Sequence, residues 1–400
     1  MTDTARGPDI LLVSNGFGEA AIATYIATAI RARAPDARIE HFPLVWIAQP
    51  GQWPPAVGPR QPMPSGGLVA YWNVRNLARD IRAGLAGLTL RQYRFLREQS
   101  GRNVVIAVGD IYCLWLCLSG ARRPTIFVAT AKSDLVAPHS GFESSIARRA
   151  AAAFARDEPT AASLRAAGVR ARYAGNIMMD GLERSSVDLG LHAGELVLAV
   201  LPGSRSNAAG AVGDHVDRLA AIARLLQSDG LVVHALVSLA PSVALDDVSS
   251  AIADHGISCA RARPGPGVVA QGSRGNLRIS VVQGAFGDIV AAADLVLGQA
   301  GTANEQAAGA GKPVVAATQP GETPTAVGWY RMRQKKLLGD ALFVVPGDPE
   351  IFAREVVTLA RHPARMAQMA ATGRARMGTR GGADAVAACA LELAARAGRR

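Results

Sequence analysis

The stretch GQAGTANEQAAGAGKPVVAATQ, residues 298–319, decides how the rest of the chain is read. The run DLVL before it, 294–297, has the make-up of a short buried strand. Gly298, Gly301 and Thr302 break that run, and 303–308 is rich in helix formers. Gly309 and Gly311 stop the helix, and Pro313 opens the next apolar run, VVAA, at 314–317. The pattern predicts a helix N-terminus at the carboxyl end of a parallel strand. Free backbone N–H groups and the helix dipole there favour an anion, usually a phosphate. Glycine at 298 and 301 lets a ligand approach the backbone. Glu305, about one turn into the helix, offers a carboxylate that can accept two hydrogen bonds from a ribose diol. The plainer reading is that Glu305 complements the dipole of its own first turn.

Upstream, the second half of the chain follows the same plan. LVLAVL (196–201) is a buried-type strand that ends in the turn Pro202-Gly203-Ser204-Arg205, and a helix follows over about 211–227. A strand over 231–237, a helix over 246–255 and a strand over 277–282 come next. The loop Gly284-Ala285-Phe286-Gly287 then leads into a helix at 288–293. Glu322, Thr323 and Thr325 lie in the loop beyond 317.

The first half opens on ILLV (10–13), the loop Ser14-Asn15-Gly16-Phe17-Gly18-Glu19 and a helix over about 20–34. This is the start of a βαβ unit without the GxGxxG dinucleotide fingerprint. NVVIAV (103–108) is a strand that ends in Gly109-Asp110. TIFVA (125–129) is another, followed by Thr130-Ala131-Lys132-Ser133-Asp134. Both place polar residues at the carboxyl edge of a parallel sheet, where ligands of such sheets bind. Short strands are expected at 150–155 and 173–174.

Two successive α/β units predict an α/β fold with two doubly wound, Rossmann-like domains and a cleft between them. The domains read as 1–180 and 181–365, with mostly helical segments over 366–400 that return to the first. Gly18, Glu19, Asp110 and Lys132 reach the carboxyl edge of one sheet. Gly203, Ser204, Arg205, Gly301, Thr302 and Glu305 reach that of the other.

Composition narrows the class. The chain has 400 residues, 49% hydrophobic and 19% charged, as expected of a soluble α/β protein. No uninterrupted apolar run approaches the length of a membrane span, and the first residues lack a signal peptide's apolar segment. Four cysteines form no paired framework. Cys113 and Cys117 share a helix face and read as core, so a cytoplasmic setting is expected. The net charge is +11, but all save four of the 43 basic residues are Arg. With Ala also abundant, this looks like coding bias rather than a nucleic-acid footprint. One basic stretch is more pointed. Residues 71–98 predict a helix with Leu77, Ile81, Leu85 and Leu88 at helical spacing. It is edged by Tyr71, Trp72 and six Arg, from Arg75 to Arg97. That suits either an anionic membrane surface or an ordinary helix whose apolar face meets the core.

SNGFGE (14–19), VGD (108–110), TAKSD (130–134), AGNIMMDGL (174–182), LPGSR (201–205), AGTANEQAAGAGKPVV (300–315) and KLLG (336–339) occur in this order. Together they resemble the GT-B glycosyltransferases, and more closely the lipid-A-disaccharide synthase family in its synthase-related branch. The resemblance implies transfer of a sugar from a UDP-sugar to a lipid-borne hydroxyl, without metal or other cofactor. The enzyme would work at the inner face of the membrane, docked through the region from Tyr71 to Arg97.

On that resemblance Ser204, Arg205, Gly203 and the N–H groups from Gly301 to Ala303 hold the diphosphate leaving group. Glu305 and Gln306 meet the ribose, the backbone near Phe286 the uracil, and Glu322 the sugar. Asp110 is the first candidate for the base that takes the acceptor proton, and Glu19 the second. Asp110 reads equally as an N-cap of the following helix. Asn15, Gly16, Gly18, Lys132, Ser133 and Asp134 line the acceptor side, Lys132 binding a phosphate or pairing with Asp134. SNGFGEAA departs from the AGExSGD-type loop of the synthases proper, which leaves the acceptor lipid open. The alternatives are a UDP-N-acetylglucosamine 2-epimerase and a non-catalytic nucleotide-sugar or lipid-binding protein. Neither donor sugar nor oligomeric state is encoded legibly.

Overall fold

The computed structural model describes residues 7–45, 53–61, 81–82, 84–203, 207–262 and 265–397. The chain forms two compact units, one of residues 1–181 with 380–400 and the other of residues 182–379.

The first unit runs β1 (Asp9–Ser14), α1 (Phe17–Arg33), β2 (Arg38–Pro43), α2 (Leu85–Glu98), β3 (Val104–Gly109), α3 (Ile111–Gly120), β4 (Thr125–Ala129), α4 (Gly141–Ala147), β5 (Ala152–Ala155), α5 (Glu158–Ala166), β6 (Ala171–Arg172) and α6 (Ile177–Asp180). The sheet order is β2-β1-β3-β4-β5-β6, and every pairing is parallel. Alternation along β1 shows how the core is built. Ile10 and Leu12 pack with Ile22, Ile26 and Ile30 of α1, while Leu11 and Val13 pack with Phe42, Leu114 and Phe127 on the other face. Because both faces are covered, these strands read as continuous apolar runs. The short strand expected at 173–174 lies instead at Ala171–Arg172.

The second unit runs β7 (Leu196–Leu201), α7 (Ala208–Leu226), β8 (Val233–Leu239), α8 (Leu245–Ala253), β9 (Ala260–Arg261), β10 (Gly267–Arg274), β11 (Leu277–Gln283), α9 (Phe286–Ala292), β12 (Leu295–Gly298), α10 (Thr302–Gly309), β13 (Val314–Ala317), α11 (Trp329–Leu338), β14 (Leu342–Val345), α12 (Pro349–Ala360) and α13 (Pro363–Met377). Its sheet order is β14-β13-β12-β7-β8-β11-β10-β9. The strands are parallel except at one edge, where β10 turns back antiparallel on β11 and β9 on β10. The sequence does not announce that hairpin, because GVVAQGSR (267–274) mixes glycine and polar residues.

The tail divides at 379/380 rather than at 366. Helix α13 stays with the second unit, where Gly373 lies so close to the Ala308 carbonyl of α10 that a Cβ would sit 2.1 Å from its oxygen. Only the last helix, α14 (Gly382–Ala397), returns to the first unit, burying Val386, Ala387 and Ala390 beside Ile26 and Ile30. The motif AGNIMMDG makes that return. Asp180 Oδ1 accepts from the Gly381 amide at 2.6 Å and Oδ2 from the Ala383 amide at 2.8 Å, capping α14 from about two hundred residues away. Among the described residues no helix is long and apolar enough to cross a membrane.

Candidate functional sites at the carboxyl edges of the two sheets

In the second unit the strand order reverses between β7 and β12, where a parallel sheet opens a crevice at its carboxyl edge. The turn after β12 folds over the end of β7, with the Gln299 and Ala300 amides both donating to the Leu201 carbonyl at 3.0 and 3.1 Å. Gly298 is required there, since a Cβ would meet Asn304 Oδ1 at 2.1 Å. Gly301 is the residue before α10, and a Cβ on it would meet the Tyr330 hydroxyl at 1.9 Å. Gly203 has φ +96° and lies against Ala300. The LPG and QAG turns therefore adjoin. Thr302 is exposed on the first turn of α10, Glu305 is half-buried one turn on, and Gln306 is buried. Ser204 and Arg205 lie outside the described residues. Phe286 begins α9 beyond β11.

Two residues near this edge are held by partners within the unit. The Glu322 carboxylate is engaged by the protein itself. Oε2 accepts from the Gln319 amide at 3.0 Å and Oε1 from the Gly328 amide at 2.6 Å, and Arg331 Nε lies 3.4 Å from Oε2. These bonds hold its pKa below the usual carboxylate range against the opposing effect of burial. Glu322 is the latch of the 319–328 loop. Lys312, in the GKP motif, donates to the carbonyls of Ala291 and Ala293 at 2.9 and 2.7 Å, so it caps the C-terminus of α9.

In the first unit the order reverses between β1 and β3, and the loops after these strands bring Asn15, Glu19 and Asp110 together. Asp110 caps α3, its Oδ1 accepting from the Cys113 amide at 3.0 Å. The N-cap reading of this residue holds. Burial, with the Glu19 carboxylate adding repulsion, pushes its pKa up to about 6, against hydrogen bonds from Cys113, Tyr112 and Asn15. Gly109, at φ +140°, clears the space, since a Cβ would sit 2.0 Å from Asn15 Oδ1. Glu19 folds back over Gly16, whose Cβ would meet its Oε2 at 2.3 Å. Gly18 is the second residue of α1.

One member of this edge was missed. His41 of β2 is buried, with Nε2 2.8 Å from Ser14 Oγ. Burial, then the charge of Arg60, pushes its pKa down to about 4, so it stands neutral. A lone histidine inside RIEHFP gives no sequence signal of this.

Lys132 pairs not with Asp134 but with Glu143, Nζ to Oε2 at 2.7 Å. Glu143 closes a capping box with Ser140 at the start of α4, which aims its carboxylate back at Lys132. Ser133 is buried and its hydroxyl accepts from the Leu135 amide at 3.2 Å. The Asp134 amide donates to Thr160 Oγ1 at 2.9 Å. Of the expected basic helix, Tyr71 and the rest of 71–80 lie outside the described residues. Within α2, Leu85, Leu88, Gln92 and Leu96 are buried, while Ile81 before it and Leu90 are exposed.

Two Rossmann-like domains built on parallel sheets define the GT-B class of fold. Solved structures of that class match nearly the whole chain. A UDP-glucosyltransferase from Polygonum tinctorium matches at 10% identity over 99% of this chain and 100% of that one, with a TM-score of 0.59. A UDP-N-acetylglucosamine 2-epimerase candidate from Listeria monocytogenes matches at 13% over 95% and 94%, with 0.56. MurG of Acinetobacter baumannii matches at 13% over 96% and 99%, with 0.52. At these identities the likeness is one of fold. No protein family and no curated protein matches the chain in sequence.

Proposed function

We propose that the protein is a glycosyltransferase that moves a sugar from a UDP-sugar to a hydroxyl of a membrane lipid, as the lipid-A-disaccharide synthase-like motifs suggest. The observation that carries this reading is Asp110, a carboxylate at the switch point of the first sheet whose pKa of about 6 matches a base working near neutrality. Asp110 takes the acceptor proton as the hydroxyl attacks the anomeric carbon. Asn15 and Glu19 shape its surroundings. In the second unit the amino end of α10 and the adjoining Gly203 turn suit the diphosphate that leaves, with Ser204 and Arg205 next in sequence, and Glu305, one turn into α10, suits the ribose. The names of two of the fold neighbours contain a UDP-sugar or its transferase, which supports this donor class. Exposed Ile81 and Leu90, with Arg82, Arg91, Arg94 and Arg97, suit docking to an anionic leaflet on its cytoplasmic side.

An epimerase is the second reading, favoured by the Listeria neighbour. The deciding experiment offers radiolabelled UDP-sugars to the protein with and without a native lipid extract. A transferase labels a lipid and needs the extract. Turnover of the UDP-sugar alone supports the epimerase and removes the transferase.

A further inference from the structure

Beside Asp110 the carboxyl edge of the first sheet continues into a second group of polar side chains, buried or half-buried. β4 lies between β3 and β5, in register Gly109↔Ala129 and Ala129↔Ala155. Thr130 follows β4, its amide donating to the Gly109 carbonyl at 3.3 Å, while Arg156 and Asp157 follow β5. The irregular loop 130–140 spans this edge, and His139 on it is surrounded by Glu143, Lys132, Asp134 and Asp157.

Four polar atoms here are buried without a hydrogen-bond partner among the described residues: Thr130 Oγ1, Asp134 Oδ1, His139 Nδ1 and Asp157 Oδ2. Asp157 is only 7% exposed. Its other oxygen caps α5, accepting from the Thr160 amide at 2.9 Å, so Oδ2 is held in place with nothing to receive. Buried polar atoms are normally satisfied, and four orphans on one sheet edge mark a place where a partner binds.

The donor set says what that partner is. Two of the four atoms are carboxylate oxygens, which only accept, while the hydroxyl and the imidazole nitrogen accept or donate. The complement is a group rich in hydroxyl donors. A phosphate brings only acceptors and a negative charge, and the nearby ammonium of Lys132 is already paired with Glu143. Lys132 and Arg156 against Asp134, Glu143 and Asp157 leave one negative charge, which disfavours an anion and suits hydroxyl donors.

We propose that Thr130, Asp134, His139 and Asp157 form a subsite for a neutral polyol headgroup, one bearing vicinal hydroxyls and no phosphate. It rests on the transferase reading only in making that headgroup the acceptor.

Binding of single-chain probes to the full-length protein tests it by titration calorimetry, apart from turnover. The probes are 1-monooctanoylglycerol and octyl β-glucoside, with octyl phosphate as the anionic counterpart. At least one neutral probe binds saturably, and octyl phosphate binds at least about tenfold more weakly. The double variant Asp134→Asn, Asp157→Asn weakens the neutral probe about tenfold or more, and the new amide oxygen still serves as acceptor for the α5 cap. Thr130→Val, which changes no charge, weakens it about threefold and serves if the double variant misfolds. Octyl phosphate binding as tightly as the neutral probes, unaltered binding in a folded variant, or no saturable neutral probe each overturns the proposal. Titration with UDP runs alongside: loss of UDP binding with polyol binding intact defeats the donor reading and leaves this subsite standing.

Discussion

Lys132 Nζ lies 2.7 Å from Glu143 Oε2, and that carboxylate also accepts from the Ser140 amide at 2.7 Å. The pair fixes the beginning of the 130–140 loop to the start of α4. With Glu143 at 9% side-chain exposure, removing the cation strands a largely buried charge. Lys132→Met is therefore expected to destabilise the first unit by about 1–2 kcal/mol while leaving UDP affinity unchanged. Thermal and denaturant unfolding measure the first, and titration the second. A variant as stable as the parent shows that the pair contributes nothing.

Asp180→Ala removes both acceptors at the amino end of α14. The expected cost is about 1–2 kcal/mol, and amide exchange in 382–397 should rise before that in β1 or β3. Uniform exchange across the unit would show that α14 is held by its apolar face alone.

Much of the fold was legible. Runs such as ILLV, VVIAV and LVLAVL ending in glycine turns announce strands buried on both faces, and the GAGKP boundary announces the end of a helix. The partners of polar side chains were not. Asp180 reads as the exit from a domain because its ligands, the amides of Gly381 and Ala383, are remote in sequence. Lys132 has a nearer acid in Asp134, yet the capping box at Ser140 sets the competition by aiming Glu143. Glu322 reads as a sugar contact, and its hydrogen bonds from the amides of Gln319 and Gly328 are not foreseen. Asp110 and Glu19 were legible as strand-end and helix-start acids, but not their mutual repulsion, which depends on β1 and β3 being neighbours.

Acid stability should differ between the units. His41 in the first and His215 in the second are buried, with pKa values pushed down to about 4 and about 3. An unfolded histidine titrates near 6.5, so the unfolded state takes up protons first, and stability falls as pH drops below that value. Asp110 acts oppositely. Its folded pKa of about 6 lies above the unfolded carboxylate value, so the native first unit gains on acidification and offsets His41. His139 and His234, one in each unit, are both lowered by burial. At pH 4.5 the uncompensated His215 costs the second unit about 2–3 kcal/mol relative to pH 7. Amide exchange at the two pH values should show β7 and β8 deprotected first; prior loss of β1 and β3 contradicts this.

Glu305→Ala should weaken UDP binding about tenfold, the loss of a hydrogen-bonded carboxylate, with the melting temperature nearly unchanged. Unaltered affinity would count against the ribose role.

The most direct measurement compares the parent with Asp110→Asn in two assays on the same preparation: UDP affinity, and label passing from a UDP-sugar into lipid. Asparagine keeps an oxygen for the Cys113 amide, so α3 stays capped while the base is gone. The account predicts unchanged UDP affinity and transfer lost by at least about a hundredfold, with the parent's rate falling below pH 6. Transfer at the parent's rate from Asp110→Asn would contradict it.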